Sequence, residues 1–476
     1  MKSARRAILS NTRLNSLRRG DSTTYVTLIY PYFHPHPDTS IFRFPPLGLG
    51  YIASYLRKQG ISVEIVDCTF LTQKQALNKI VDSKPKIIGI QSMYSMRNKS
   101  LELAQLLREH CELLVAGGAL PTTQPDAFLN DFDVVVVGEG ERTMLDLVNQ
   151  FENGGDFSQI RGIAYKDKDT GQVKLTSPRG LVADLDDLPS PARDLFNNYS
   201  YKKYYSGRFG YKTTAIMTSR GCPFACDFCS RPIFGNEFRT RSASNVADEI
   251  ENVISLGYNR IWFADDCFTL NRRRLIEVCD EIIKRGLKIG WECLSRVDTL
   301  DSETAEKMKQ AGCLRMFFGI ESGNDSILRI MNKQITTKQA YNATQICKKK
   351  GIKAGAFFIL GYPGEKDETI LETVNFASSL PLDYLSFTLP YPIPGTPLFE
   401  RLRGKLVSEE WEEPKNIQMI KHKLLFDSQV SELKMKFAVI KGMIQFYIRK
   451  YTGEQGYAFI GRPFEEVTDA VYNKMK

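Results

Sequence analysis

The stretch KTTAIMTSRGCPFACDFCSR (residues 212–231) runs from a β-branched, apolar strand pattern into a loop with cysteines at 222, 226 and 229. A Gly-Cys-Pro turn opens the loop, and Arg220 and Arg231 stand at its ends. The strand half reads as the first of six repeats. KTTAIMTS, RIWFADD, KIGWECLS, RMFFGIES, KAGAFFILG and YLSFTLP are strand candidates. Helical patterns such as VADEIENVISLG and RRLIEVCDEIIKRG separate them. This alternation predicts a partial β/α barrel over residues 213–404, with its active site at the carboxyl ends of the strands.

Upstream, residues 24–150 alternate in the same way. TYVTLIYPYF, ISVEIVDCT, KIIGIQSM, ELLVAGG and FDVVVVGEGE read as strands, and LGLGYIASYLRKQG, KQALNKIVDS and SLELAQLLREH as helices. Near-continuous apolar strands between helices predict a doubly wound parallel sheet covered on both faces, an α/β Rossmann-like domain. Its ligands belong at the strand ends, in the loops HPHPDTSIFRFPP, QSMYSM, GGALPTTQP and GEGERT. Residues 151–212 read as a linker with a hairpin around Asp-Lys-Asp-Thr-Gly and a connector broken by Pro189 and Pro191. Residues 405–476 read as a helical C-terminal region.

The chain has 476 residues, 42% hydrophobic and 25% charged, which suits a soluble protein of two to four domains. No apolar run is long enough for a membrane span, and the N-terminus has no apolar core of a secretory signal, so a cytoplasmic protein is expected. Net charge is +9, and the first 20 residues carry +6 of it through Lys2, Arg5, Arg6, Arg13, Arg18 and Arg19. Residues 1–23 therefore read as a basic arm. The remainder is nearly balanced, which argues against a nucleic-acid enzyme.

Ten cysteines are present, and seven of them, at 68, 111, 267, 279, 293, 313 and 347, are scattered singly as buried small apolar residues would be. The trio differs. A structural zinc needs a fourth ligand. No histidine lies between His110 and His422, and the next cysteine, Cys267, is well beyond the loop. A disulfide would leave one thiol over. An iron–sulfur cubane normally takes four thiolates, so three would leave one iron open to a non-protein ligand.

C-x3-C-x2-C at the end of a first barrel strand, with Phe228 before the third cysteine, resembles the radical S-adenosylmethionine (SAM) enzymes. The resemblance implies that Cys222, Cys226 and Cys229 hold a 4Fe-4S cluster whose open iron binds SAM. It implies SAM contacts from Phe228, from Asp265 and Asp266 in FADDCF, and from Arg296 in SRVD, as a planar fork on the SAM carboxylate. It also implies contacts from Glu321 and Ser322 in GIESG and from Gly361 in ILGYPGE. The segments PPLGLGYIASYL (45–56) and VVVGEGERT (135–143) resemble the cobalamin-binding domain fused to one large group of these enzymes. The cobalamin residues implied are Pro46, Leu47, Ser92, Met93, Tyr94, Gly117, Gly118, Pro121, Thr122, Gly138, Glu139, Gly140 and Glu141. The Asp-x-His-x-x-Gly cobalamin motif is absent, and the local imidazoles, His34 and His36, read as loop residues. The methylthiotransferases place three further cysteines in their N-terminal domain; here that region has only Cys68 and Cys111, so a second cluster is not expected.

The whole is similar to a cobalamin-dependent radical SAM methyltransferase. Such an enzyme methylates an unactivated carbon by way of a 5′-deoxyadenosyl radical and methylcobalamin. The implied substrate is open; a protein side chain, as for the glutamine C-methyltransferase of methyl-coenzyme M reductase, is one candidate. The implied electron donor is a ferredoxin or flavodoxin. A non-methylating cobalamin radical SAM enzyme, of ring-cyclase or rearrangement type, is the rival within the family. A metal-binding nucleic-acid module is the rival from another class.

Overall fold

The computed structural model describes residues 24–33, 40–167, 169–406 and 424–475. The basic arm, His34 and His36 lie outside them. The chain divides into two compact units, one reaching to Phe209 and taking back Arg231–Gly235, the other formed by Gly210–Ser230 and the chain from Asn236 onward.

The first unit is built on a seven-stranded sheet. Its strands are β1 (Val26–Tyr30), β2 (Val63–Asp67), β3 (Ile87–Gln91), β4 (Leu113–Gly117), β5 (Val134–Val136), β6 (Ile163–Lys166) and β7 (Val173–Leu175). They lie in the order β2-β1-β3-β4-β5-β6-β7. The first five are parallel, the doubly wound arrangement expected from the sequence. Alternation of side chains along a strand explains both covered faces. Val26, Leu28, Ile65, Val115 and Val134 enter one core, with helices Leu47–Lys58 and Gly140–Glu152 over it. Ile29, Val66, Ile88, Leu114 and Val135 enter the other.

One boundary differs from the sequence reading. The hairpin around Asp167 forms as expected, but β6 pairs antiparallel with β5 and so extends the sheet. The connector after it ends in an unforeseen helix, Asn198–Phe209, whose Tyr201 and Tyr205 are fully buried. Tyr201 donates to Asp67 at 2.6 Å, at the end of β2. Its residues carry almost no amphipathic pattern, which concealed this element in the sequence. The stretch from 151 to 209 thus belongs to the first unit.

The second unit holds β8 (Thr213–Ile216), a short antiparallel ribbon of β9 (Ser219–Arg220) and β10 (Arg239–Thr240), and then β11 (Arg260–Phe263), β12 (Gly290–Ser295), β13 (Cys313–Glu321), β14 (Lys353–Ile359) and β15 (Tyr384–Thr388). β8 and β11 to β15 form one parallel sheet in sequence order, the six-stranded partial barrel predicted. Its helices start and stop where local chemistry dictates. Helix Thr337–Lys350 opens with a capping box between Thr336 and Gln339 and closes on Gly351 at φ 64°. Helix Glu432–Gly456 buries Met435, Ala438 and Phe446 in the same core as the barrel strands and their helices. Gly442 permits its close approach, since a Cβ there would lie 2.7 Å from Val374 Cγ1. No helix among the described residues is long and apolar enough to cross a membrane.

Candidate active site

The cysteine trio follows β8 and β9, at the carboxyl end of the first barrel strand. Cys226 is buried, Cys222 is half-buried and Cys229 is exposed. The loop closes on itself where Cys229 N–H donates to Cys226 O at 3.1 Å. Among the described residues no three His, Cys, Asp or Glu side chains are gathered closely enough to hold a metal ion. The trio shares a loop, and its claim to a cluster rests on the donor set: three thiols within eight residues at a strand end. Six of the seven scattered cysteines are buried, as expected of packing residues, and Cys111 is half-buried. Folding also brings Cys267 within electrostatic reach of Cys222, a proximity hidden by their separation in sequence.

Around this loop the predicted SAM residues divide into two groups. Arg296 follows β12 and is 5% exposed. Its guanidinium lies 3.5 Å over the Phe224 ring of the cysteine loop. Nε and Nη2 both donate to Asp298 at 2.9 Å, and Nη2 also donates to Lys333 O at 2.9 Å. The expected planar fork is therefore spent inside the protein. Nη1 remains buried without a partner. A buried cationic N–H left unpaired is costly, and an anionic ligand group would satisfy it. Arg296→Met should accordingly weaken SAM about ten- to a hundredfold, the range for losing a charge-assisted hydrogen bond. Equilibrium dialysis would measure it, and unchanged affinity would remove Arg296 from the site.

Glu321 ends β13 with φ 72°, in the left-handed region that a non-glycine residue rarely occupies. Its carboxylate pairs with Lys333 at 2.9 Å, both side chains being 9% exposed. Lys333 itself sits between Asn332 at φ 50° and Gln334 at φ 57°. Burial opposes its charge, but Glu321 and Cys226 outweigh burial and hold its pKa above the ordinary lysine value. Three strained residues around one buried ion pair beside the cysteine loop mark a built site. Lys333 was not anticipated, because MNKQ carries no periodic or motif signal.

The other predicted residues are already committed. Asp265 is 1% exposed and accepts from Thr218 N at 2.6 Å and Ser219 N at 3.1 Å, besides the Thr218 hydroxyl. It fastens the turn that launches the cysteine loop, whereas its exposed neighbour Asp266 faces outward. Ser322 is fully buried, with Oγ 3.0 Å from Thr373 Oγ1. Gly361 has φ 85°, and its N–H donates to Glu365 Oε2 at 2.6 Å. Phe228 packs edge-on to Tyr362, with ring centroids 6.4 Å apart.

In the first unit the glycine motifs lie at the carboxyl ends of β4 and β5, as expected. Their roles differ. A Cβ on Gly118, at φ 106°, would lie 2.5 Å from Ser92 O, and one on Gly140 would lie 2.8 Å from Ile52 Cδ1. Gly118 serves the domain's own packing, since it meets backbone, whereas the atom met at Gly140 is the movable end of a side chain. Gly138, at φ 85°, has nothing within 4 Å, and a Cβ on Gly117 would meet only Val136 at 3.8 Å. Gly138 N–H donates to Thr122 Oγ1 at 3.1 Å, joining two predicted segments. Glu139 accepts from Val182 N at 2.7 Å. A cavity of 190 Å³ borders Gly138 and Glu139 and reaches Arg179, Leu181 and Ile233. Ser92 is fully buried against Ser100, 2.8 Å away, so its side chain is internal. Pro46 caps helix Leu47–Lys58, and Leu47 and Pro121 are buried. Met93 precedes the turn Tyr94–Met96, and Glu141 is buried at the start of helix Gly140–Glu152.

Comparison with known proteins gives the family. A model described as the Radical SAM superfamily matches residues 216–377, and one described as a B12 binding domain matches residues 38–148. An uncharacterized methyltransferase of Pyrococcus horikoshii is 35% identical over 417 residues, 85% of this chain and 88% of the relative. The anaerobic magnesium-protoporphyrin IX monomethyl ester cyclase of Rubrivivax gelatinosus is 30% identical over 404 residues, 82% and 72% of the two chains. The solved cobalamin-dependent radical enzyme OxsB shares the fold, with a TM-score of 0.75 and 19% identity over 94% of this chain and 72% of that one. The chain belongs to the cobalamin-dependent radical SAM methyltransferase family. Its cofactors are a 4Fe-4S cluster, SAM and cobalamin.

Proposed function

We propose that this enzyme methylates an unactivated carbon, with Cys222, Cys226 and Cys229 holding the cluster and Arg296 Nη1 receiving the carboxylate of SAM. The observation that carries the reading is the buried, unpaired Nη1 beside the cysteine loop, in a chain that also has an open glycine cradle at Gly138. When bound, the cofactors supply a carbon radical and a transferable methyl group. The protein's own task is to hold and to exclude. Asp298 and the Phe224 face fix the Arg296 guanidinium so that one N–H has a single direction. The Lys333–Glu321 pair places buried charge beside Cys226. Gly117, Gly138 and Thr122 would line the seat of cobalamin. Keeping such groups out of water preserves a reactive carbon radical from side reactions. The substrate we favour is a protein side chain, and the electron donor is a ferredoxin or flavodoxin.

The test is product analysis under strict anaerobiosis with SAM, reductant and an extract of the host. S-adenosylhomocysteine and 5′-deoxyadenosine should form together, with a 14 Da increase on one protein. 5′-Deoxyadenosine without S-adenosylhomocysteine would replace methylation by the cyclase type of reaction, which the similarity to the Rubrivivax cyclase keeps in view.

A further inference from the structure

Asp227 stands between the second and third cysteines, and neither its charge nor its position is needed by any feature above. Its contacts are unusually complete for a loop residue. The carboxylate Oδ2 accepts from Tyr362 Oη at 2.6 Å and from Arg401 Nη2 at 2.7 Å. Arg401 Nη2 is also 3.4 Å from Tyr362 Oη, so the three side chains close a triangle. The backbone of the same residue is held twice: its N–H donates to Met331 O at 2.9 Å, and its carbonyl accepts from Leu398 N at 3.0 Å. Two residues earlier, Ala225 O accepts from Asn332 Nδ2 at 2.7 Å. The next residue, Phe228, packs against an apolar cluster that includes Ile327, Met331, Ile359 and Leu398. Three distant segments, around residues 331, 362 and 400, thus converge on the loop between Cys226 and Cys229.

Fold stability alone explains this poorly. The Asp227 side chain is 13% exposed and that of Arg401 is 42% exposed. An ion pair with one partner so open to water contributes little. Its position gives it another effect. Asp227 directly follows Cys226 and stands two residues before Cys229, so its charge is carried on the loop of the proposed cluster ligands. A fixed negative charge there disfavours adding an electron to a cluster, and a fixed positive charge favours it. Arg401 offsets Asp227, while Tyr362, 2% exposed, holds the carboxylate in place.

We propose that Asp227, Tyr362 and Arg401 are positioning residues that clamp the cysteine loop, and that the Asp227–Arg401 charge pair sets the reduction potential of the bound cluster. The proposal rests on the trio holding that cluster.

The test is the cluster's midpoint potential, by spectroelectrochemical titration of the full-length, anaerobically reconstituted protein, with iron and circular dichroism measured alongside. Arg401→Met leaves Asp227 uncompensated and should lower the potential. Asp227→Asn leaves Arg401 uncompensated and should raise it. Arg401→Lys keeps the charge and should stay near the wild-type value. Opposite shifts with a charge-conserving rescue are a signature that loss of packing would not give. If both variants leave the potential unchanged, or move it in the same direction, the proposal is wrong. If Asp227→Asn fails to retain iron, the Arg401→Met and Arg401→Lys pair decides: Met must lower the potential and Lys restore it. Cys226→Ala separates the two levels. Iron retained there would overturn the cluster assignment, whereas unchanged potentials in a protein whose Cys226→Ala variant loses iron would overturn the clamp alone.

Discussion

Alanine at Cys222, Cys226 or Cys229 should each abolish SAM cleavage, while the wild-type chain takes up about four irons, the content of one cubane. The loss should be complete because each thiolate is a third of the protein's hold on the cluster. Cys68→Ala and Cys111→Ala should keep the iron. Burial pushes the Cys68 thiol far above its ordinary range and that of Cys111 up to about 11, so neither offers a thiolate at neutral pH. Iron analysis together with chromatography of 5′-deoxyadenosine would check all five variants. Cleavage retained in any variant of the trio would refute the assignment. Far-ultraviolet circular dichroism should change little on loss of the cluster, since the second unit is held by a continuous apolar core from Ile216 to Tyr472. Unfolding on metal loss would instead mean a structural site.

The second large effect concerns cobalamin. Gly138→Val should reduce bound cobalamin at least about tenfold with the domain still folded, because a branched side chain would enter the open space above Gly138. The left-handed φ there costs the fold a further ~1–2 kcal/mol, which a domain with two buried cores should withstand. Gly118→Val is the contrast. Its Cβ would strike the Ser92 carbonyl 2.5 Å away, so the domain itself should lose stability, and circular dichroism should separate the two cases. Visible spectra of the bound corrin would read occupancy directly. Normal binding by Gly138→Val would remove this glycine from the cobalamin seat.

Much of this was legible in the linear order of residues. Alternating apolar strands and capped helices specified both sheets, because side-chain periodicity and caps are local properties that survive in one dimension. The cysteine spacing specified the loop chemistry for the same reason. Legibility failed where partners come from far along the chain. The helix Asn198–Phe209 buries tyrosines against Asp67, more than a hundred residues away, and its own pattern is hardly amphipathic. The resemblance implied a SAM contact from Asp265; only the fold shows that its carboxylate also accepts from Thr218 and Ser219.

The sequence by itself determined the two-domain α/β architecture, the cysteine loop at the end of β8 and the family. Only the tertiary structure decided which polar groups are spent and which are free. It assigned the fork of Arg296 to Asp298, left Nη1 unpaired, paired Lys333 with Glu321, and brought Tyr362 and Arg401 onto Asp227. The physical reason is that a polar atom's availability depends on every donor and acceptor within about 3 Å. Those neighbours are set by packing between segments that share no local pattern.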